Sequence, residues 1–98
     1  MKMVLEKISI IPKDGNQLSY SSIIEEVRDY DKAEHIGILS GRQEHIFHFL
    51  DCGGVVVFHK PNNGKTALEY SAAISGTEEQ KRQTISKLQE LIKNCEIR

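Results

Sequence analysis

The chain has little of what most readily identifies a function. Among its 98 residues it has no tryptophan, two prolines, two cysteines and 6% aromatic residues, and its 13 Lys and Arg nearly balance its 14 Asp and Glu. The resulting net charge of −1 argues against broad electrostatic attraction to nucleic acid. Two cysteines allow one disulfide at most, and Cys52 and Cys95 fall in a predicted turn and near a predicted helix end. We therefore expect reduced thiols in a cytosolic protein.

Long apolar runs are absent as well. Residues 1–13 contain no stretch typical of a signal peptide, and no segment approaches the roughly 20 apolar residues of a membrane-spanning helix. We expect a cytoplasmic protein without membrane association. The chain shows no repeat, linker or low-complexity tract, so residues 1–98 are predicted to form a single domain.

Four short apolar segments dominate the middle of the chain. Residues 35–40, 45–50, 55–60 and 66–74 read HIGILS, HIFHFL, VVVFHK and TALEYSAAI. Each gap between them contains glycine, and the second and third also contain aspartate, asparagine or proline, as in the turns of antiparallel hairpins. The pattern predicts a four-stranded antiparallel meander.

The first two turns suggest a register for these strands. A two-residue loop at 41–42 would place Ile36 opposite Phe47 and His35 opposite His48. The next connection is predicted to be even in length. A turn at residues 53–54 pairs His48 with His59, whereas a four-residue loop over 51–54 pairs His59 with Ile46 and keeps the same faces.

The last hairpin is predicted to have a three-residue loop with Gly64 in the left-handed region, which pairs Pro61 with Lys65 and Phe58 with Leu68. Alternation then gives the sheet two unlike faces. A nearly continuous apolar face is predicted to lie under helices: Ile36, Ile38, Phe47, Phe49, Val56, Phe58, Leu68, Tyr70, Ala72 and Ile74. The opposite face mixes apolar and polar residues: His35, Leu39, Glu44, Ile46, His48, Leu50, Val55, Val57, His59, Ala67, Glu69 and Ser71.

One further strand and two helices flank the meander. Residues 2–11 read as a strand ended by Pro12, and serines at 19–22 precede a helical stripe of Ile23, Ile24, Val27 and Tyr30. Thr77 and Gln80 have capping-box spacing at the start of a helix predicted over 77–95. The order β-α-β-β-β-β-α predicts an α+β fold in which two helices pack on one face of the sheet. This element order is similar to one repeat of the TATA-binding-protein-like domains, a similarity that transfers no function.

Histidines are the first candidate for chemistry. The preferred register places His35, His48 and His59 side by side, with Glu69 nearby, and such a set resembles the ligands of a zinc site. The outer two ligands would be about 10 Å apart on a flat sheet, which disfavours shared coordination. We therefore expect a surface that titrates near neutral pH or faces a partner, and we predict neither a metal nor a cofactor.

Two other chemistries are weaker. Residues 63–66 (NGKT) resemble the tail of a phosphate-binding loop, but the pattern requires glycine where His59 stands and a helix where a strand is predicted. Cys52 lies between turn residues with no neighbouring cation to activate its thiolate. A histidine-dependent enzyme or metal-binding protein remains the alternative function, and nucleic-acid binding by the sheet is a second alternative.

The preferred interpretation is a small non-enzymatic interaction module of the regulatory, inhibitor, immunity or adaptor type. An apolar block on an open sheet face is typical of a surface for a protein partner or for a homodimer. The predicted partner-binding residues are Leu39, Ile46, His48, Leu50, Val55, Val57, His59 and Glu69.

Overall fold

A computed structural model of the protein describes residues 5–13, 18–39, 44–61 and 67–98. Its elements in chain order are β1 (Glu6–Pro12), α1 (Tyr20–Arg28), β2 (Ala33–Leu39), β3 (Glu44–Phe49), β4 (Val55–Phe58), β5 (Tyr70–Ser75), α2 (Glu78–Leu91) and β6 (Cys95–Ile97). The strands form one antiparallel sheet in the order β2-β3-β4-β5-β1-β6. The predicted α+β class and element order are confirmed, with one strand added at the end.

Alternating residues of the central strands form the core. The buried set on β3, β4 and β5 is exposed by 3% or less and consists of Phe47, Phe49, Val56, Phe58, Tyr70, Ala72 and Ile74. The same core takes Ile23, Ile24 and Val27 from α1 and Leu88 from α2, so both helices cover one face of the sheet. This prediction follows from the two-residue period of strands and is confirmed for these seven positions.

Both helices begin where hydroxyl side chains can satisfy free backbone N–H groups. The Ser19 hydroxyl accepts from the backbone N–H of Ser22 at 3.2 Å, which starts α1. The Thr77 hydroxyl accepts from the backbone N–H of Gln80 at 3.1 Å, and the Gln80 side chain accepts from the Thr77 N–H at 2.9 Å. The predicted capping box of the second helix is therefore confirmed.

The end of α2 departs from the prediction. The helix ends at Leu91, Asn94 adopts a positive φ of 66°, and the chain turns back into β6 along the free edge of β1. Cys95 and Ile97 are both buried. Cys95 had been predicted as the last buried position of the helix. It is buried instead as one of two alternating residues of β6.

The pairing of β3 with β4 also differs from both predicted registers. The connection is a four-residue loop over 50–53, closed by a hydrogen bond from the Gly53 N–H to the Phe49 carbonyl at 2.7 Å. Val57 lies opposite Ile46, so His59 is opposite neither His48 nor Ile46. The residues keep their faces because the shift is an even number of positions.

Strand β5 is displaced in the same way. Phe58 lies opposite Ala72 rather than Leu68, and Leu68 precedes the strand with 75% of its surface exposed. The shift of four positions again preserves parity, but Leu68 is lost from the core. The predicted turns at 41–42 and 62–64, and the predicted partner Lys65, lie outside the described residues.

Strand β2 contains a register change that moves residues to the other face. Gly37 pairs with Ile46 as predicted, but His35 pairs with Phe47 because the register shifts between His35 and Gly37, as in a β-bulge. Ile36 is the extra residue and is 56% exposed. The predictions that Ile36 faces the core and that His35 lies on the open face opposite His48 are therefore wrong.

Candidate interaction surface and histidine sites

The open face is the side of the sheet turned away from both helices. Its middle row, read across neighbouring strands by register, contains Gly37, Ile46, Val57, Ala73 and Lys7. The adjacent row contains Glu34, His48, Val55 and Ser75. Ile46, Val57 and Ala73 are partly exposed although they lie in the three central strands. The centre of the open face is therefore an apolar strip that neither helix covers.

A polar row borders this strip. His59 follows β4 and donates its backbone N–H to the Ser71 carbonyl at 3.0 Å, which continues the pairing beyond the strand. Its Nδ1 lies 3.2 Å from the Glu44 carboxylate, and Glu44 is only 9% exposed. Leu39 is opposite Glu44 in β2. The interaction between His59 and Glu44 thus satisfies a largely buried carboxylate at the end of the apolar strip.

The structure places the predicted partner-binding residues unequally. The two central rows contain four of them: Ile46, His48, Val55 and Val57. The bordering row of Glu44 contains two more, Leu39 and His59. Leu50 lies in the loop after β3, where it is 56% exposed. Glu69 is exposed but precedes β5, so it is not in the strand position predicted for it.

The predicted row of three histidines does not form. His35 lies on the helix-covered side, where its Nε2 is 3.1 Å from His45 Nδ1 and its ring is 4.9 Å from that of Phe47. His48 and His59 remain on the open face but in different rows. Among residues 5–13, 18–39, 44–61 and 67–98, no three His, Cys, Asp or Glu side chains are grouped as metal ligands.

The Cys52 thiol is positioned by the loop that joins β3 to β4. Its sulfur is 3.8 Å from the Thr84 hydroxyl of α2, and the side chain packs against the core. His48 and His59 are on the other face of the sheet, so neither imidazole adjoins the Cys52 thiol. Both cysteines are free, as predicted, and burial raises the pKa of the Cys95 thiol.

The same loop is held to α2 by a charged network. The Tyr30 hydroxyl donates to the Asp51 carboxylate, and Lys87 Nζ lies 3.4 Å from Asp51 and 5.0 Å from the Tyr30 ring centre. The hydrogen bond from Tyr30 and the charge of Lys87 lower the pKa of Asp51. These contacts fix the four-residue loop that sets the register of β4.

A cleft that the sequence did not indicate lies beside α1. It has a volume of about 280 Å³, and its walls are formed by Tyr20, Ser21, Ile24, Glu25, Arg28, His45 and Lys60. These residues are spread over 41 positions of sequence and carry no motif. The one available signal was the spacing of His45, two residues before Phe47, which puts it on the helix-covered face, where an imidazole requires a hydrogen-bonding partner.

Comparison with known proteins gives no match to a family model, to a curated protein or to a solved structure. Within the part of the chain that the structure describes, neither helix has the length and apolar character needed to span a membrane.

Proposed function

We propose that the protein is a small non-enzymatic interaction module that binds a protein partner through the open face of its sheet. The observation that carries this proposal is the apolar strip of Ile46, Val57 and Ala73 across the three central strands, with Val55 in the next row. These side chains are not part of the buried core, because the core residues of the same strands face the helices. An apolar block of this kind is typical of a protein-binding surface.

The border of the strip supports the same class of partner. Lys7 and Glu34 stand at the ends of the two central rows, and the Glu44–His59 pair lies beside them. An apolar centre with a mixed polar rim is the usual anatomy of a protein–protein interface. Carboxylates on both sides of the strip disfavour a phosphate backbone, which argues for protein rather than nucleic acid as the ligand.

The regulatory, inhibitor, immunity and adaptor classes all share this mode of action, since each acts by occupying a surface of another protein. A second copy of the chain is the other occupant of the proposed surface. Light scattering distinguishes the two, because a homodimer doubles the mass of the isolated protein.

The test replaces Val57 with Asp. We expect a carboxylate in the middle of the strip to reduce partner binding or dimerisation more than tenfold, because binding would have to desolvate it without a counter-charge. The measurements are light scattering of the isolated protein and affinity capture from the native host, followed by titration of the captured partner. Gln89→Asp on the exposed surface of α2 introduces the same charge as a matched control.

A second variant separates this proposal from histidine-dependent chemistry. His48→Ala is expected to leave binding largely intact, because the imidazole lies in the row next to the apolar strip of Ile46, Val57 and Ala73 and not in the strip itself. The proposal would be refuted if the Val57→Asp variant bound its partner or dimerised as tightly as the wild type while its circular dichroism spectrum showed an intact fold.

A further inference from the structure

The cleft beside α1 has the chemical character of an anion site. It opens between one side of α1 and the ends of β3 and β4, on the helix-covered side of the sheet. Arg28 and Lys60 bring two positive charges to its walls, and Glu25 brings one negative charge. Arg28 forms no salt bridge with any residue that the structure describes. A guanidinium without a carboxylate partner at a concave surface is suited to bind an oxyanion.

One wall of the cleft is formed by a buried, hydrogen-bonded tyrosine. Tyr20 is 5% exposed, and its hydroxyl donates to the Phe58 carbonyl at 3.1 Å. Burial raises the pKa of Tyr20 to about 12, so the phenol stays neutral and holds this bond throughout the physiological range. Its ring lies 5.9 Å from that of His45 and so fixes one side of the imidazole.

Among the residues that the structure describes, Nε2 of the His45 imidazole has no hydrogen-bond partner. Its Nδ1 lies 3.1 Å from Nε2 of His35, and the two rings are stacked with centres 5.2 Å apart. A protonated His45 carries an N–H on both ring nitrogens, so it can donate from Nδ1 to Nε2 of His35 and from Nε2 to a bound anion.

The surroundings of His45 oppose that proton. Burial lowers the pKa of His45, and the electrostatic interactions with His35, Arg28 and Lys60 lower it further. Glu25 is the acidic group on the cleft wall, and the Tyr20 phenol is neutral. A bound anion would compensate these charges and favour the protonated imidazole, which links anion binding to proton uptake.

We propose that this cleft binds the phosphate or sulfate group of a small ligand between Arg28, Lys60 and His45, and that binding protonates His45. Ser21 adds a hydroxyl to the cleft wall, and Ile24 adds an apolar surface. The volume of about 280 Å³ suits a small ligand. The site is on the opposite side of the sheet from the apolar strip, so the two proposals stand or fall separately.

Sulfate is the appropriate probe, because it remains a dianion throughout the pH range in which imidazoles titrate. The experiment adds sodium sulfate to the full chain in place of sodium chloride at constant ionic strength and follows the histidine ring signals by NMR. We expect a saturable shift of the His45 signals, a higher titration midpoint for His45, and tighter binding at pH 6 than at pH 8.

Two substitutions complete the test. Arg28→Gln is expected to weaken sulfate binding about tenfold, since one charge-assisted hydrogen bond is removed. Arg82→Gln makes the same charge change on the exposed surface of α2 and is expected to leave affinity unchanged. The proposal is refuted if the His45 signals show no saturable shift, or if Arg82→Gln weakens binding as much as Arg28→Gln does.

Discussion

The two faces of this sheet are built from the same strands but differ in the size and burial of their side chains. The helix-covered face contains all three phenylalanines, and two of its polar side chains are paired within the protein: Tyr20 with the Phe58 carbonyl and His35 with His45. The open face has smaller aliphatic side chains that stay partly exposed, such as Ile46 and Val57. Fully buried side chains are thus concentrated on one face, and we expect that face to contribute more to stability than the open face does.

The largest expected effect compares two neighbours in β3. Phe47 is fully buried and packs edge-to-face on Phe58 with ring centres 5.9 Å apart. We expect Phe47→Ala to lower the free energy of unfolding by about 3–5 kcal/mol. Ile46→Ala on the open face should cost only about 1 kcal/mol. Urea denaturation of both variants measures the difference, and equal losses would show that the faces do not differ in stability.

Two glycines give a second comparison. A β-carbon added at Gly54 would overlap the Thr84 hydroxyl and lie 3.2 Å from the Gln80 carbonyl oxygen, whereas one added at Gly37 meets nothing within 4 Å. Gly54→Ala is expected to destabilise by about 1–3 kcal/mol through overpacking, and Gly37→Ala by less than about 0.5 kcal/mol. Adding Thr84→Ala to Gly54→Ala should recover part of the loss in thermal unfolding. No recovery would locate the strain elsewhere.

The bulge in β2 can be tested by comparing the free energies of unfolding of two variants, with a smaller expected difference than for the phenylalanine and glycine substitutions. His35 faces inward and is bonded to His45, while Ile36 is 56% exposed. We expect His35→Ala to cost about 1–2 kcal/mol, because it leaves His45 without its partner. Ile36→Ala should change the free energy of unfolding by less than about 0.5 kcal/mol. The reverse order in urea denaturation would mean that Ile36, not His35, packs under the helix.

The smallest effect is the pH dependence contributed by His45. Burial lowers its pKa below the ordinary value of 6.5, so the unfolded chain binds more protons than the folded chain between the two values. The stability that depends on neutral His45 is complete above pH 6.5 and is lost as the pH falls towards the pKa of the folded state. Unfolding measured from pH 7.5 to pH 5 should show this decline in wild type.

The matched variants for this decline are His45→Gln and His48→Gln. The first is expected to reduce the slope of stability against pH, because it removes the inward-facing imidazole. The second replaces an imidazole on the open face and should leave the contribution of His45 in place. If His45→Gln kept the wild-type slope of stability against pH, the decline would have to come from other titratable groups.

Local patterns predicted much of the fold. The alternation of Phe47, Phe49, Val56 and Phe58 identified which side of the middle strands is buried, and the Thr77 capping box located the start of α2. Loop geometry was harder to predict, because the loop at 50–53 is fixed by contacts of Asp51 with Tyr30 and Lys87. Those partners come from distant parts of the chain, and no local pattern encodes their meeting.

The amino-acid sequence by itself determined the class of fold, the order of elements up to α2 and the parity of the central strands, since each depends on the spacing of apolar side chains along a few residues. The tertiary structure alone decided the strand offsets, the bulge that turns His35 inward, and the pairing of β6 with β1. These features depend on contacts between residues far apart in the chain, where several local solutions have similar energy and packing selects one. The apolar strip follows from parity, whereas the cleft beside α1 exists only because a helix, two strand ends and a bulge come together.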